Sequence, residues 1–250
     1  MEKNNWVADL RYTNALNPPP EIEGAYQSLI AAKGPRVKGT LSVGKVLNKI
    51  FPTFDQIAMA TKTSNNMDSP HFGKPVEEII AIWNSKSTDA IERGLKVDDE
   101  ISEVFYAGRI TEDERILSCK SRLERNKMFP VVGQLWVNDG LINGKIDDIY
   151  WHSVTPKLYL SDYKTCEDVE KLKVGYKKLN GPLSHLRDSK FLKYSLQLGL
   201  YKYILLKNNP DLDFGNSLLV FFEPDRVVFE KALEFSPQTM QEIVSYALEN

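Results

Sequence analysis

An α/β or α+β core behind a helical N-terminal part is the fold class this sequence predicts. Two observations predict it. Apolar residues follow helical spacing from about residue 42 to 127, then switch near residue 128 to short runs rich in Val, Ile, Leu and Tyr, as strands require. After three such runs the order continues helix, hairpin, helix, so strands and helices must share one layered core. Residues 1–40 are expected to be an extended lead-in, and 41–250 a single domain, helical over 41–127 and a sheet with helices over 128–250.

The lead-in is polar, with Pro18, Pro19 and Pro20 favouring extended backbone and "KGPRVKGT" reading as a loop. In "SVGKVLNKIF", Ser42 is placed as an N-cap, and Val43, Val46, Leu47 and Ile50 fall on one helical face. "NNMDSPHFGKP" reads as a loop. "PVEEIIAIWN" predicts a helix from Pro75 to about Asn84, with proline in its first turn. A second helix is expected through "STDAIERGLKVDDEISEVFYAG", to about Gly108. A third follows in "TEDERILSCKSRLERNK", where Thr111 and Glu114 fit a capping box.

"FPVVGQLWVND", "INGKIDDIYWH" and "KLYLSDYKT" then predict an antiparallel meander, turning at Asn-Asp-Gly and at "SVTPK". "CEDVEKLKVGYKKLNGP" is charged and in part loop. "SKFLKYSLQLGLYKYILLKN" is a long helix, apolar on more than one face and so expected to be buried. "NSLLVFFEPDRVVFEKALEF" is a hairpin turning at Glu223, Pro224 and Asp225, and "SPQTMQEIVSYALEN" is a Ser-capped helix.

Composition narrows the function classes. The chain has 250 residues, is 42% hydrophobic and 26% charged, and carries a formal net charge of −2. No global basic field marks a nucleic-acid binder, although a local basic groove can sit on a neutral protein. Two cysteines, Cys119 and Cys166, are too few for a disulfide framework or a zinc site and suit a reducing compartment. The start, "MEKNNWVADL", has no apolar signal core, and no run reaches the length of a membrane span. A soluble, intracellular protein without a membrane partner is the expectation.

The meander carries the chemistry. Strand side chains alternate faces, so Asp162 and Lys164 point the same way with Tyr163 opposite, and an antiparallel partner can bring Asp147 beside them. Two carboxylates and one ammonium make an oxygen-ligand site for a hard cation, Mg²⁺ or Mn²⁺. Such an ion can activate water and stabilise charge on a phosphate undergoing displacement. The lysine can orient or help deprotonate the water, or stabilise the developing charge. An ordinary exposed salt bridge between Asp162 and Lys164 is the competing explanation. Farther along, Gln197 and Tyr201 are four apart and share a helical face.

The order Gly144-Lys145-Ile146-Asp147, then Asp162-Tyr163-Lys164-Thr165, then Gln197 through Tyr201 resembles the RecB-like exonuclease branch of the PD-(D/E)XK nuclease superfamily. "SVGKVLNKIFPTFD" looks like the opening helix of phage and large-virus members, "IWNSKSTDAIERGLKVDDEI" like their W…A…G-T-x-x-H-x-x-I segment, and "GPLSHLRDSKFLKYSLQLGLY" like the loop and helix carrying their Q-x-x-x-Y. The likeness covers about residues 40–205. It implies a restriction-endonuclease-like α/β core, a central mixed sheet flanked by helices. It also implies a Mg²⁺- or Mn²⁺-dependent deoxyribonuclease, an exonuclease before an endonuclease, of viral or phage DNA replication, recombination or repair. Its products would be a 5′-phosphate and a 3′-hydroxyl.

In that resemblance Asp147, Asp162, Lys164, Gln197 and Tyr201 are the catalytic set. Asp147 and Asp162 hold the metal, and Gln197 and Tyr201 contact DNA or support the lysine. Two positions depart from the family pattern. Where histidine usually follows G-T-x-x, this chain has Asp98, a hard-oxygen candidate ligand, with Asp99 or Glu100 as alternatives. Gln134 stands where many relatives carry glutamate, with Asp148 as a substitute acid.

DNA, single-stranded or at its ends, is the implied partner. Lys171, Lys173, Lys177 and Lys178, in "KLKVGYKK" with Tyr176 among them, are candidate phosphate contacts; "KSRLERNK" at 120–127 is a second basic cluster. An RNA nuclease with the same core and a nuclease-like module that binds without cutting are the other two readings. Strand polarity and oligomeric state are left open.

Overall fold

The computed structural model describes residues 10–11, 20–35 and 37–250; Pro18 and Pro19 lie outside the described residues. The chain divides into two compact units, Thr53–Asp99 and a discontinuous one made of Met1–Pro52 and Glu100–Asn250.

The discontinuous unit is an α/β body built on a mixed sheet. Its strands are β1 (Leu10–Arg11), β2 (Leu41–Ser42), β3 (Met128–Asn138), β4 (Ile142–His152), β5 (Lys157–Thr165), β6 (Leu218–Phe222) and β7 (Val227–Lys231). The order across the sheet is β1-β3-β4-β5-β6-β7, with β2 added beside β4. The β3–β4–β5 meander is antiparallel, as the sequence predicts, β6 joins β5 in parallel, and β7 returns antiparallel to β6. The parallel step needs a crossover, and the long helix between β5 and β6 supplies it.

Helices of this unit are α1 (Pro20–Ala32), α2 (Val43–Ile50), α5 (Glu114–Arg125), the four-residue α6 (Val169–Leu172), α7 (Lys190–Asn208) and α8 (Pro237–Glu249). α2 and α8 start at the serines the sequence marks: Ser42 Oγ accepts from Lys45 N, and Ser236 Oγ from Thr239 N. α7 buries Leu196, Leu198, Leu200, Ile204 and Leu205, which lie on several of its faces, so it sits inside the core as expected.

Three local expectations are corrected. Residues 20–32 are helical, not extended. Pro20 stands at the first helical position, where its missing N–H costs nothing, and Ile22, Ala25, Leu29 and Ala32 bury one face in the core. The cap of α5 is Asp113, not Thr111. Asp113 Oδ1 accepts from Arg115 N at 2.9 Å and its two oxygens grip the Arg115 guanidinium at 3.0 and 2.6 Å, while Thr111 donates to Glu100 instead. The two helices expected over 75–108 are one, α4 (Val76–Tyr106). At the junction the Thr88 hydroxyl donates to Asn84 O at 3.1 Å, one helical turn back, and the helix runs on without a break.

The Thr53–Asp99 unit holds α3 (Gln56–Asn65), which the sequence analysis did not assign, and most of α4. Asp55 caps α3 by accepting from Ala58 N at 2.9 Å. Gln56 bonds Asn84 at 2.9 Å and Phe54 packs on Trp83 with ring centroids 6.3 Å apart, so α3 and α4 are tied at one end. Among the described residues no helix is long and apolar enough to cross a membrane.

Candidate functional site

The site begins where β4 and β5 part. Their ladder runs from His152↔Lys157 to Asp148↔Ser161 and ends there. One more step of the same register would set Asp147 opposite Asp162. Instead, the Asp147 carboxylate accepts the Tyr163 backbone N–H at 3.2 Å, so a side chain replaces the strand as the partner of that amide. β4's free edge before this point is taken by β2, at Leu41↔Ile142 and Ser42↔Asn143. The strand ends are thus held apart and the carboxylates lie in the fork.

On the α7 side of this fork the expected group assembles. Lys164 Nζ is 2.6 Å from Asp162 Oδ2, 3.9 Å from Asp147 Oδ2 and 3.0 Å from the Tyr163 carbonyl. Gln197 Nε2 donates to Asp162 Oδ1 at 3.0 Å. Tyr201 lies one helical turn on, and burial raises its phenol. Five expected residues therefore sit together: Asp147, Asp162, Lys164, Gln197 and Tyr201.

Electrostatics follow from burial. Asp162 is 1% exposed, and loss of water pushes its carboxyl up against the opposing pull of Lys164. The attraction of Asp162 and Asp147 outweighs desolvation at Lys164 and raises it, so the ammonium stays charged. This is no solvated surface pair. Asp162 Oδ2 is buried and lies 2.6 Å from the Lys164 ammonium, which is its partner. Two carboxylates gathered on one ammonium, one of them buried, are an oxygen set that suits a hard cation. Lys164 supplies the positive charge at that point.

Sequence reasoning missed Tyr194. Its ring lies under the lysine, with Lys164 Nζ 5.2 Å from the centroid. The signal was available: Tyr194, Gln197 and Tyr201 recur at i, i+3 and i+7 on α7.

The opposite face of the same strands holds a second polar group. Asp148 is 2% exposed and accepts from Tyr163 Oη at 2.6 Å, Tyr150 Oη at 3.3 Å and Tyr106 Oη. Burial pushes its carboxyl up to about 7 despite these three donors. Gly133 makes room for the group, since a Cβ there would meet Tyr106 Cε2 at 2.8 Å and Asp148 Oδ1 at 3.0 Å. Asp148 thus points away from the Asp147–Asp162 fork. Gln134 lies between Gly133, opposite Asp148, and Leu135, opposite Ile146, and has φ 55°, a left-handed backbone that a non-glycine residue rarely takes.

Asp98 lies on α4 in the Thr53–Asp99 unit. Among the described residues no three or more His, Cys, Asp or Glu side chains are grouped to hold a metal ion. Asp147 and Asp162 therefore stand as a carboxylate pair.

No known family profile matches the chain, and no curated protein does. Among solved structures it is similar to a protein described as SSO0001, with a TM-score of 0.35 and 11% identity over 92% of this chain and 83% of that one. So loose a likeness carries no argument.

The four candidate phosphate contacts differ. Lys171 lies 3.8 Å from Asp168, and Lys173 pairs with Glu170 at 2.7 Å and Glu230 at 3.0 Å. Lys177 and Lys178 have no acidic partner among the described residues.

Proposed function

We propose that this chain is a divalent-metal-dependent DNA nuclease of the PD-(D/E)XK type, RecB-like, and an exonuclease before an endonuclease. One observation carries the reading: Asp147, Asp162 and Lys164 meet at a fork between two strands, with Gln197 bonded to the buried carboxylate. A fork of this kind fixes its groups on a rigid sheet, and fixed geometry is what positioned attack on a phosphodiester needs.

Asp147, Asp162 and the Tyr163 carbonyl are the groups that would hold Mg²⁺ or Mn²⁺, with Asp98 as a further candidate. A bound divalent ion supplies Lewis-acid stabilisation of a phosphoryl oxygen and a more acidic water. The chain's own residues do the rest. Lys164, charged, donates to the oxygens of the scissile phosphate or orients the attacking water, and Tyr194 under it limits where the ammonium can go. Gln197 fixes the Asp162 carboxylate through its hydrogen bond, and Tyr201 packs against Gly144 of β4. The products would be a 5′-phosphate and a 3′-hydroxyl.

End-labelled linear DNA and covalently closed circular DNA, each with Mn²⁺, Mg²⁺ or EDTA, test the reading. Loss of the linear substrate alone, dependent on metal and abolished by Lys164→Ala, makes the chain an exonuclease working through this site. Cutting of the circle makes it an endonuclease. Cutting of RNA in preference to DNA moves the substrate but keeps the site. Survival of every substrate in every metal removes the nuclease reading and leaves a binding module.

A further inference from the structure

We propose that Tyr176 is a base-stacking platform for single-stranded nucleic acid, with Lys177, Lys178 and Arg187 holding the adjacent phosphates. The proposal rests on the nuclease reading for its purpose, but it is carried by a separate part of the structure.

Tyr176 is 83% exposed, the most exposed aromatic among the described residues. Its ring contacts no other ring and no cation among them. A large aromatic in water is ordinary on a mobile tail, but here the backbone beneath it is fixed at many points. Asp188 Oδ1 accepts the N–H groups of Tyr176 at 2.8 Å and Lys177 at 2.6 Å, and Asp188 N donates to Lys177 O at 2.7 Å. Lys178 bridges to Arg187, Leu179 N bonds Leu186 O at 3.1 Å, and Asn180 N bonds Ile50 O at 2.7 Å. At Gly175 the two arms come so close that a Cβ would stand 1.9 Å from the Asp188 carbonyl oxygen. Leu179 and Leu183 are buried in the core and anchor the base of the loop. A ring presented on a backbone already ordered loses little entropy when a ligand covers it.

Charge singles out the same spot. Lys171 and Lys173 are offset by carboxylates, whereas Lys177, Lys178 and Arg187 have no acidic partner among the described residues. Free cations beside an exposed aromatic ring fit a chain of stacked bases and phosphates. A duplex buries the faces of its bases, so a single strand is the form that can use the ring. Position agrees as well. In chain order the loop follows β5, which carries Lys164, and the short helix α6, and it ends at Ser189, the N-cap of the helix that carries Gln197.

Fluorescence anisotropy of labelled oligothymidylate in EDTA, titrated with the full chain at several salt concentrations, tests this. Tyr176→Ala is expected to weaken binding about tenfold or more, Tyr176→Trp to restore it, and Lys177→Ala or Lys178→Ala each to lower the salt slope by about 0.7. Because the ring is exposed, Tyr176→Ala should melt with the wild type, so lost binding is not lost folding. Wild-type affinity in Tyr176→Ala overturns the proposal, and so does an equal loss for duplex DNA. Polyglutamate that competes as well as oligothymidylate also overturns it, in favour of an acidic protein partner. The two readings fail separately. Tyr176-dependent binding without metal-dependent cleavage removes the nuclease and keeps the platform; cleavage with Tyr176-independent binding does the reverse.

Discussion

Tyr201 lies with its ring against the bare Cα of Gly144: a Cβ at that glycine would stand 2.3 Å from Tyr201 Cε1. The two residues are 57 positions apart in the chain and belong to separate parts of the sequence pattern, the G-x-I-D of β4 and the Q-x-x-x-Y of α7. The glycine lets α7 approach the strand closely enough for Gln197 to reach Asp162.

Gly144→Ala tests that closeness. The added methyl has no free space and must push the ring or the helix away, which overpacked cores tolerate at a cost of about 1–3 kcal/mol. Denaturant unfolding should show that loss. In a Tyr201→Ala background the same methyl should cost less, so the double variant should lose less than the sum of the two single losses; strict additivity would mean the ring is not the obstacle.

Lys164→Ala should reduce metal-dependent cleavage by ~10² or more, from loss of a preorganised cation. It also leaves Asp162 buried without its partner, a change that costs ~3 kcal/mol when the remaining group is charged. Removing the lysine raises the Asp162 carboxyl further, and a carboxyl raised by folding favours the folded state when protonated. The stability cost should therefore be smaller at pH 5 than at pH 8. A pH-independent cost would contradict the ion pair.

Burial lifts Asp148 to about 7, well above the unfolded carboxylate value. The folded state then binds the proton more tightly, so the contribution of this group is greatest below about pH 4 and is lost as pH rises to about 7. Unfolding free energy measured across that window should fall by up to a few kcal/mol more in the wild type than in Asp148→Asn. Parallel profiles for the two proteins would show that Asp148 is ionised throughout.

Mn²⁺ should raise the melting temperature of the wild type, since an ion at a hundred times its dissociation constant adds ~2.7 kcal/mol to the folded state. Asp162→Asn and Asp147→Asn should each remove most of that increment. Asp98→Asn measures the third candidate: an unchanged increment would exclude it as a ligand.

Much of the site was legible because its parts are local patterns. Asp162 and Lys164 share a face by the two-residue repeat of a strand, and Gln197 and Tyr201 share one by the helical repeat. Asp147 followed from placing two strands in an antiparallel pair. Tyr194 was overlooked although the same helical repeat contains it, because a lone tyrosine has no chemistry until a lysine lies over its ring. Asp148 was read as a substitute acid. Alternation turns it to the other face, where three tyrosines enclose it.

By itself, the sequence determined the strands of the meander, the closing hairpin, the serine caps of α2 and α8 and the shared faces of Asp162 with Lys164 and of Gln197 with Tyr201. Each is set by periodicity or by a cap within a few residues. That the two pairs belong together is what the resemblance implied. Only the tertiary structure decided that Pro20–Ala32 would be a helix, that Asp113 and not Thr111 would cap α5, and that β2 would hold the edge of β4 and keep the fork open. The physical reason is distance along the chain. α1 is held by a core that includes α7, Thr111 is claimed by Glu100 eleven residues away, and the fork depends on a strand a hundred residues upstream. Local propensity cannot weigh partners that far off; packing does.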